Sequence, residues 1–408
     1  MNEKESERLK AAKIGILLFG IVSLLGDIVY EGARGIVPSY LEFLGASAVL
    51  VGLVGGFGDF LGYALRLLSG FLADSTRAYW TFIFIGYGLI GAIPFLGIPL
   101  GLEIAIVLVL TERVGKAFRS PSRDTVLSFI SKGVGAGKAF GIHELLDQIG
   151  AIIGPLIVTV IIGVTGNNYN MSLGFLAIPF LMLIVVLTCT YKRVGPTIFI
   201  PEKPKAARER YKLGKSFYIY SLAVFLNTAG LIPASLILFK ATEIFKPTGM
   251  LWVVPLVYLI IQCVDAPVAL ISGILYDKFG RKVLFSSFVL SLFPALLVMI
   301  ETQVISLFGA AIFFGVVLGM QESIYRAAVA DLTPISSRGL AYGIFNTVYG
   351  VGFVLSGLVY GTFTDLRAPF IWSLVFVVVI QCFAMLFLAR SFSSIRQSTS
   401  EIASASAR

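Results

Sequence analysis

The sequence predicts an all-α membrane protein, with twelve transmembrane helices in two six-helix bundles related by a parallel pseudo-repeat. Three observations carry that expectation. The 408 residues are 57% hydrophobic and only 13% charged, against roughly half apolar and a quarter charged in a soluble domain. The apolar runs are around 20 residues long and helical rather than alternating in pattern, which excludes an outer-membrane barrel. Segments of the first half also recur in the second, at an offset near half the chain.

The runs fall at 14–40, 47–73, 80–101, 104–127, 138–164, 171–190, 216–240, 250–274, 283–300, 304–328, 339–363 and 369–389. The amino-terminal "MNEKESERLKAAK" is too long and too acidic for a signal-peptide basic region, and no small-residue cleavage site follows its apolar stretch. The first run is therefore read as a retained helix. "SGFLAD" at 69–74 returns as "SGILYD" at 272–277, and "GKAFGIHELLDQIGAIIGPL" at 137–156 aligns with "GLAYGIFNTVYGVGFVLSGL" at 339–358. An even number of helices per half makes such repeats parallel. The expected domains are 1–190 and 216–408, each a six-helix bundle, joined by the polar, proline-containing stretch 191–215 as a cytoplasmic linker.

The net charge of +9 is distributed unevenly. With both termini in the cytoplasm, the loops on the opposite side hold only Lys240, Lys246 and Arg367, and the other loop cations face the cytoplasm. That is the positive-inside bias. The surplus then faces anionic headgroups and needs no nucleic-acid partner. The expected location is the cytoplasmic membrane, as a multi-pass monomer. Cys189, Cys263 and Cys382 imply no disulfide framework and are read as small core residues.

Ionisable groups inside the runs are the candidate site. Intramembrane charges normally face a cavity or a partner. In "LLGDIVYEGARGIVPSY", residues 24–40, Asp27, Glu31 and Arg34 share one helical face. Glu31 and Arg34 can neutralise each other at i, i+3, which leaves Glu31 open between a structural and a functional role. Asp27 has no cation within a turn. A carboxylate alternately wetted and dried can exchange protons, so Asp27 is the leading proton-coupling candidate, with Glu31, Asp147 and His143 beside it. The second run holds Asp59 and Arg66, and the fourth Glu112 and Arg113 followed by the ladder Lys116, Arg119 and Arg123. The second half contributes Asn227, Asp265, Asn346 and Tyr349, with Glu322 and Arg326 as further buried charges. Runs 3, 6, 9 and 12 contain no charged residue, as expected of helices facing lipid. Two bundles around a polar midplane cavity make an alternating-access transporter.

Two enzyme-like patterns fail. "HELLD" at 143–147 lacks the second histidine of H-E-x-x-H, so no metal is assigned. A relay from His143 to Asp147 and a satisfied interhelical hydrogen bond both remain open. "KGVGAGKAF" lacks the first glycine and the Ser/Thr of a phosphate loop. No nucleotide or other cofactor is expected.

"GILYDKFGRK", 273–282, and the partial copy "GFLADSTRAYW", 70–80, resemble the loop motif of the major facilitator superfamily. The resemblance implies a cytoplasmic gate built on Gly70, Asp74, Gly273, Asp277, Gly280 and Arg281. Gly141, Gly150, Gly154 and Pro155 match the fifth-helix glycine pattern of members that export by antiport, and imply close helix packing. "ERVGKAFRSPSRD", 112–124, followed by that helix, is similar to a prokaryotic branch with drug and metabolite exporters. The function implied is proton-coupled export of a small organic solute. Two alternatives stay open: divalent-cation export through Asp27, Glu31 and Asp59, and uptake of an anionic metabolite along the basic ladder.

Overall fold

The computed structural model describes residues 3–131, 134–195, 213–300, 303–334 and 337–406. Of the expected linker, 196–212 lies outside the described residues. The long helices are α1 (Glu3–Arg34), α2 (Ala48–Thr76), α3 (Tyr79–Gly88), α4 (Leu102–Ile130), α5 (Ala136–Val164), α6 (Ala177–Val194), α7 (Lys215–Gly230), α8 (Val253–Phe279), α9 (Val304–Met320), α10 (Arg338–Asp365) and α11 (Phe370–Ser406). No strand occurs among the described residues.

By length and apolarity, nine helical segments can cross a membrane among the described residues. Three of the twelve expected spans are not separately among them, each for a physical reason. The run at 80–101 is helical only over Tyr79–Phe95, with a 3-10 turn over Leu89–Gly91, and is shorter than the nine. The run at 104–127 is one helix, α4, but its six charged residues from Glu112 to Asp124 exceed what an apolar span carries. The runs at 250–274 and 283–300 fall within one apolar helical stretch, Val253–Met299, interrupted by the turn Gly280–Lys282, where Gly280 has φ +65°.

The chain divides into two compact units. The first comprises 1–46, 61–206 and 245–262; the second comprises 47–60, 207–244 and 263–408. Two short segments are thus exchanged relative to the bundles expected from sequence: the first turns of α2 belong with the second unit, and those of α8 with the first.

Backbone packing explains both exchanges. In the second unit, a Cβ on Gly56 would lie 2.8 Å from the Phe353 carbonyl carbon, and one on Gly361 would lie 2.6 Å from Val49 Cα. The glycines of α2 and α10 therefore let two helix backbones touch. The Asp365 carboxylate closes this end, accepting the Ala48 amide at 2.8 Å and the Val49 amide at 2.9 Å. These are orphan donors of the first turn of α2. In the first unit, Gly35 packs on Pro255 and Tyr258, and Lys246 pairs with Glu42 at 2.8 Å.

Within the first unit, α1 lies along α5 with their backbones in contact. A Cβ on Gly154 would sit 2.6 Å from the Ile28 carbonyl oxygen and 2.8 Å from the Gly32 nitrogen, and Gly150 faces the Leu24 carbonyl. Gly150 and Gly154, singled out for close packing, both lie at this contact. Gly141 does not share it: a Cβ there would meet nothing within 4 Å, because it lies on the exposed face near the start of α5. Cys189, Cys263 and Cys382 are exposed on their helices, not core residues. Their helix faces look outward, where a small apolar side chain is indifferent to position.

The two loop motifs share a backbone feature. Gly280 has φ +65°, and Arg77, which stands where the motif has glycine, has φ +56°. Arginine in the left-handed region costs about 1 kcal/mol, so Arg77→Gly is expected to raise thermal stability by roughly that amount. Differential scanning fluorimetry of the purified pair checks it. A lower melting temperature would mean that the Arg77 side chain outweighs the backbone term.

Candidate functional site

In the first unit, the charged residues of α1 and α4 meet. Glu31 is buried, and its Oε2 accepts a hydrogen bond from the Tyr258 hydroxyl of α8. Its Oε1 lies 3.6 Å from Arg34 Nη1 and 4.0 Å from Lys116 Nζ. Lys116 donates to the Tyr30 hydroxyl at 2.7 Å, with the ammonium 4.3 Å from the centre of that ring. Arg119 stands 5.2 Å from the same ring and 5.5 Å from the Tyr87 ring. Two aromatic faces thus carry part of the cationic charge in a place with little water.

A second cluster lies on α4 alone. Buried Glu112 is shared by Arg119, at 3.3 Å, and Arg113, at 3.6 Å. The fixed spacing of one helix brings these groups together, since 112 and 119 are two turns apart on one face. In this cluster one buried carboxylate lies between two guanidiniums.

Asp27 is placed differently. It is buried where α1 crosses α5, with its Cβ beside Gly150, and no hydrogen bond or ion pair joins its carboxylate to another described residue. The strongest charges acting on it are those of Asp147 and Lys116. Glycine at 150 is what makes room for it. Asp147, one turn before Gly150 on α5, accepts from Ser23 Oγ, which also accepts from Arg123 Nη1 at 3.2 Å. Arg123 further pairs with Asp124 at 3.0 Å. The headgroup-seeking role natural for Arg123 in a simple span is replaced by a bridge among α1, α4 and α5.

His143 is buried, and its Nε2 has no hydrogen-bond partner among the described residues. The expected interhelical hydrogen bond is not made by that atom. His143, Glu144 and Asp147 bring ligand atoms within 4.8 Å of one another. Arg123, linked to Asp147 through Ser23, places a fixed positive charge there that opposes a metal cation. Asp27, Glu31 and Asp59 do not form such a group among the described residues.

Asp59 and Arg66 on α2 are half-buried, with the Arg66 guanidinium 5.0 Å from the Tyr63 ring. Gly70 packs against Pro121. Asp74 accepts the Tyr79 hydroxyl at 3.0 Å.

In the second unit, Asn227 is fully buried in a closed network. Its amide donates to Ser291 at 3.1 Å and Gln381 at 2.9 Å, and its carbonyl accepts the Tyr325 hydroxyl at 2.7 Å. A group so completely satisfied braces α7 against α11 and does not line a cavity. Tyr349 donates to Gln321 Oε1 at 2.8 Å, and Asp265 is buried where Gly319 of α9 touches its backbone. Asn346 is half-buried. Gln321 opens a turn of π-helix, Gln321–Tyr325, after α9, a distortion often found at functional sites. Gly273 packs against Ser323, Arg281 lies 5.4 Å from the Phe392 ring, and Asp277 joins no described residue by hydrogen bond or ion pair.

Sequence reasoning did not single out Ser23, Tyr30, Tyr258 or Tyr325 as partners. Each is an unremarkable polar residue in an apolar run, and only packing reveals which carboxylate, amine or amide it meets.

The described residues, all-helical in their regular structure with nine apolar spans and buried charge clusters, have the construction of a membrane transporter. The family model "Major Facilitator Superfamily" matches residues 217–406. An uncharacterized protein of Mycobacterium tuberculosis, Rv2265, is 35% identical over 383 residues, covering 92% of each chain. An uncharacterized MFS-type transporter of Methanocaldococcus jannaschii, MJ1317, is 27% identical over 376 residues, covering 88% of this chain and 90% of its own. Among solved structures, the nucleoside transporter NupG superposes with a TM-score of 0.70 at 16% identity, over 93% of this chain and 99% of its own. The peptide transporter POT in complex with sulfate gives 0.71 at 14% identity, over 94% of each. The chain belongs to the Major Facilitator Superfamily. It is a multi-pass membrane transporter and not an enzyme.

Proposed function

We propose that this protein is a proton-coupled secondary transporter that exports a small organic solute by alternating access, with Asp27 as the proton carrier. The observation that supports it most is Asp27 itself: a carboxylate buried at a helix crossing without a hydrogen bond or ion pair among the described residues. Such a group is costly to keep in the membrane unless it changes state during function. Asp147 and His143, on the neighbouring turns of α5, form the onward proton path.

The fold proposed with it is twelve membrane crossings in two repeated bundles, 1–190 and 216–408, acting as a monomer with both termini in the cytoplasm. Gly273, Asp277, Gly280 and Arg281 would form the stronger cytoplasmic lock, and Gly70 and Asp74 its partial copy in the first half. The glycine pattern Gly150, Gly154 and Pro155 supports antiport, as in the exporters this helix resembles. Purified protein in liposomes, with a pH-sensitive dye inside and an imposed pH gradient, tests the reading. Solute-dependent proton movement is expected. Solute movement that leaves internal pH unchanged would contradict it.

A further inference from the structure

Helix α8 belongs to both compact units: its first turns, 253–262, lie in the first, and the rest, from Cys263, in the second. Pro267 stands inside this helix. It has no N–H to donate to the carbonyl of the residue four before it, which is Cys263. The changeover between units thus falls at a carbonyl that the helix ladder leaves open. A helix interrupted in this way bends there more readily than an unbroken one. Helix α2 is divided likewise, between Phe60 and Leu61, but contains no proline.

Contacts of different strength hold the segment 245–262 to the rest of the first unit. Lys246 pairs with Glu42 at 2.8 Å, and Asn167 donates to the Gly249 carbonyl at 2.9 Å. Both contacts are exposed, and water competes for them. Gly35, just after α1, lies against α8: an added Cβ would stand 3.3 Å from Pro255 Cβ and 3.4 Å from Tyr258 Cβ. The remaining contact is buried, with the Tyr258 hydroxyl donating to Glu31 Oε2. A hydrogen bond to a carboxylate is roughly twice as strong as a neutral one, so this is the firmest fastening of the segment.

We infer that 253–262 is a gate arm that pivots on α8 between Cys263 and Pro267, and that Tyr258 is the positioning residue that latches it to α1 through Glu31. This rests on the transport reading above and adds its moving element. An unbroken α8 could leave α1 only by carrying 263–279 with it; the open carbonyl lets the arm leave alone. Glu31 lies one turn after Asp27 on α1, so the proposed proton carrier and the fastening of the arm share one helix.

The test reads the arm directly, without transport. Val254, in the first turn of α8, and Leu187 of α6 are both fully buried. In a Cys189→Ser, Cys263→Ala, Cys382→Ser background, Val254→Cys and Leu187→Cys are each reacted with a water-soluble maleimide. Tyr258→Phe is expected to raise the rate at Val254→Cys about tenfold, the weight of one hydrogen bond to a charged group, and to leave Leu187→Cys unchanged. Adding Pro267→Ala should lower that raised rate about threefold, because it completes the helix ladder. Should Tyr258→Phe fail to fold, Gly35→Leu, which crowds Pro255 without removing a hydrogen bond, carries the same expectations. An unchanged rate at Val254→Cys, a rise at both positions in both variants, or no effect of Pro267→Ala would overturn the proposal. Solute-dependent proton flux in the unmodified protein with unaltered labelling in the variants defeats this inference alone. The expected labelling without such flux defeats the transport reading alone.

Discussion

Gly154→Leu is expected to abolish the folded protein, and Gly141→Leu, thirteen residues earlier on the same helix, to leave it intact. At Gly154 even a Cβ would come within 2.6 Å of the Ile28 carbonyl oxygen and 2.8 Å of the Gly32 nitrogen. Both are backbone atoms of α1, so no rotamer change relieves the clash, and the two helices must separate along their length. Separation would also dismantle the Ser23–Asp147 bond and the niche of Asp27 beside Gly150. At Gly141 nothing lies within 4 Å of an added Cβ, and a leucine there gains helix propensity of about 1 kcal/mol. Size-exclusion profiles of fluorescent-protein fusions in detergent separate the outcomes. A monodisperse Gly154→Leu peak would show that α1 and α5 do not touch as described.

Glu112→Ala carries the next largest effect. Glu112 is buried and stands within 3.6 Å of Arg113 and 3.3 Å of Arg119. Removing one member of a buried charge cluster leaves the others uncompensated, at a cost of about 3–5 kcal/mol. Arg119 is the more severely affected, since its Nη1 already has no hydrogen-bond partner among the described residues. Exchanging both members, Glu112→Ala with Arg119→Met, should recover part of the loss by removing the buried charge it would otherwise leave. Thermal unfolding of the single and double variants checks this, and a double variant no more stable than the single would show that the pair is not coupled.

Much of the fold was legible because it follows from composition. Apolar runs of about 20 residues have few other destinations. The helix count was harder to read. The run at 104–127 reads as a span, but its helix, α4, carries six charged residues from Glu112 to Asp124 and is not among the nine apolar segments, and two further expected spans fall in the one stretch Val253–Met299.

The site was legible as a set of residues but not as an arrangement. Asp27, Glu31 and Arg34 announce themselves by being ionisable in an apolar run. That Glu31 would be tied to Tyr258, 227 positions away, depends on tertiary packing that no local pattern encodes. Asn227 shows the reverse case. It reads as a cavity residue from sequence, yet three side-chain partners distant in the chain consume its hydrogen-bonding capacity.

Asp27→Asn reconstituted beside the unmodified protein tests the central claim most directly. Asparagine keeps the size of the side chain at the α1–α5 crossing and removes its ability to carry a proton. With a pH gradient as the sole driving force, the variant is expected to lose solute accumulation and solute-dependent proton flux. Exchange of solute across vesicles at equal pH should persist in part. Should the variant move protons with solute at the ratio of the unmodified protein, Asp27 would not be the proton carrier, and its burial without a partner would need another explanation.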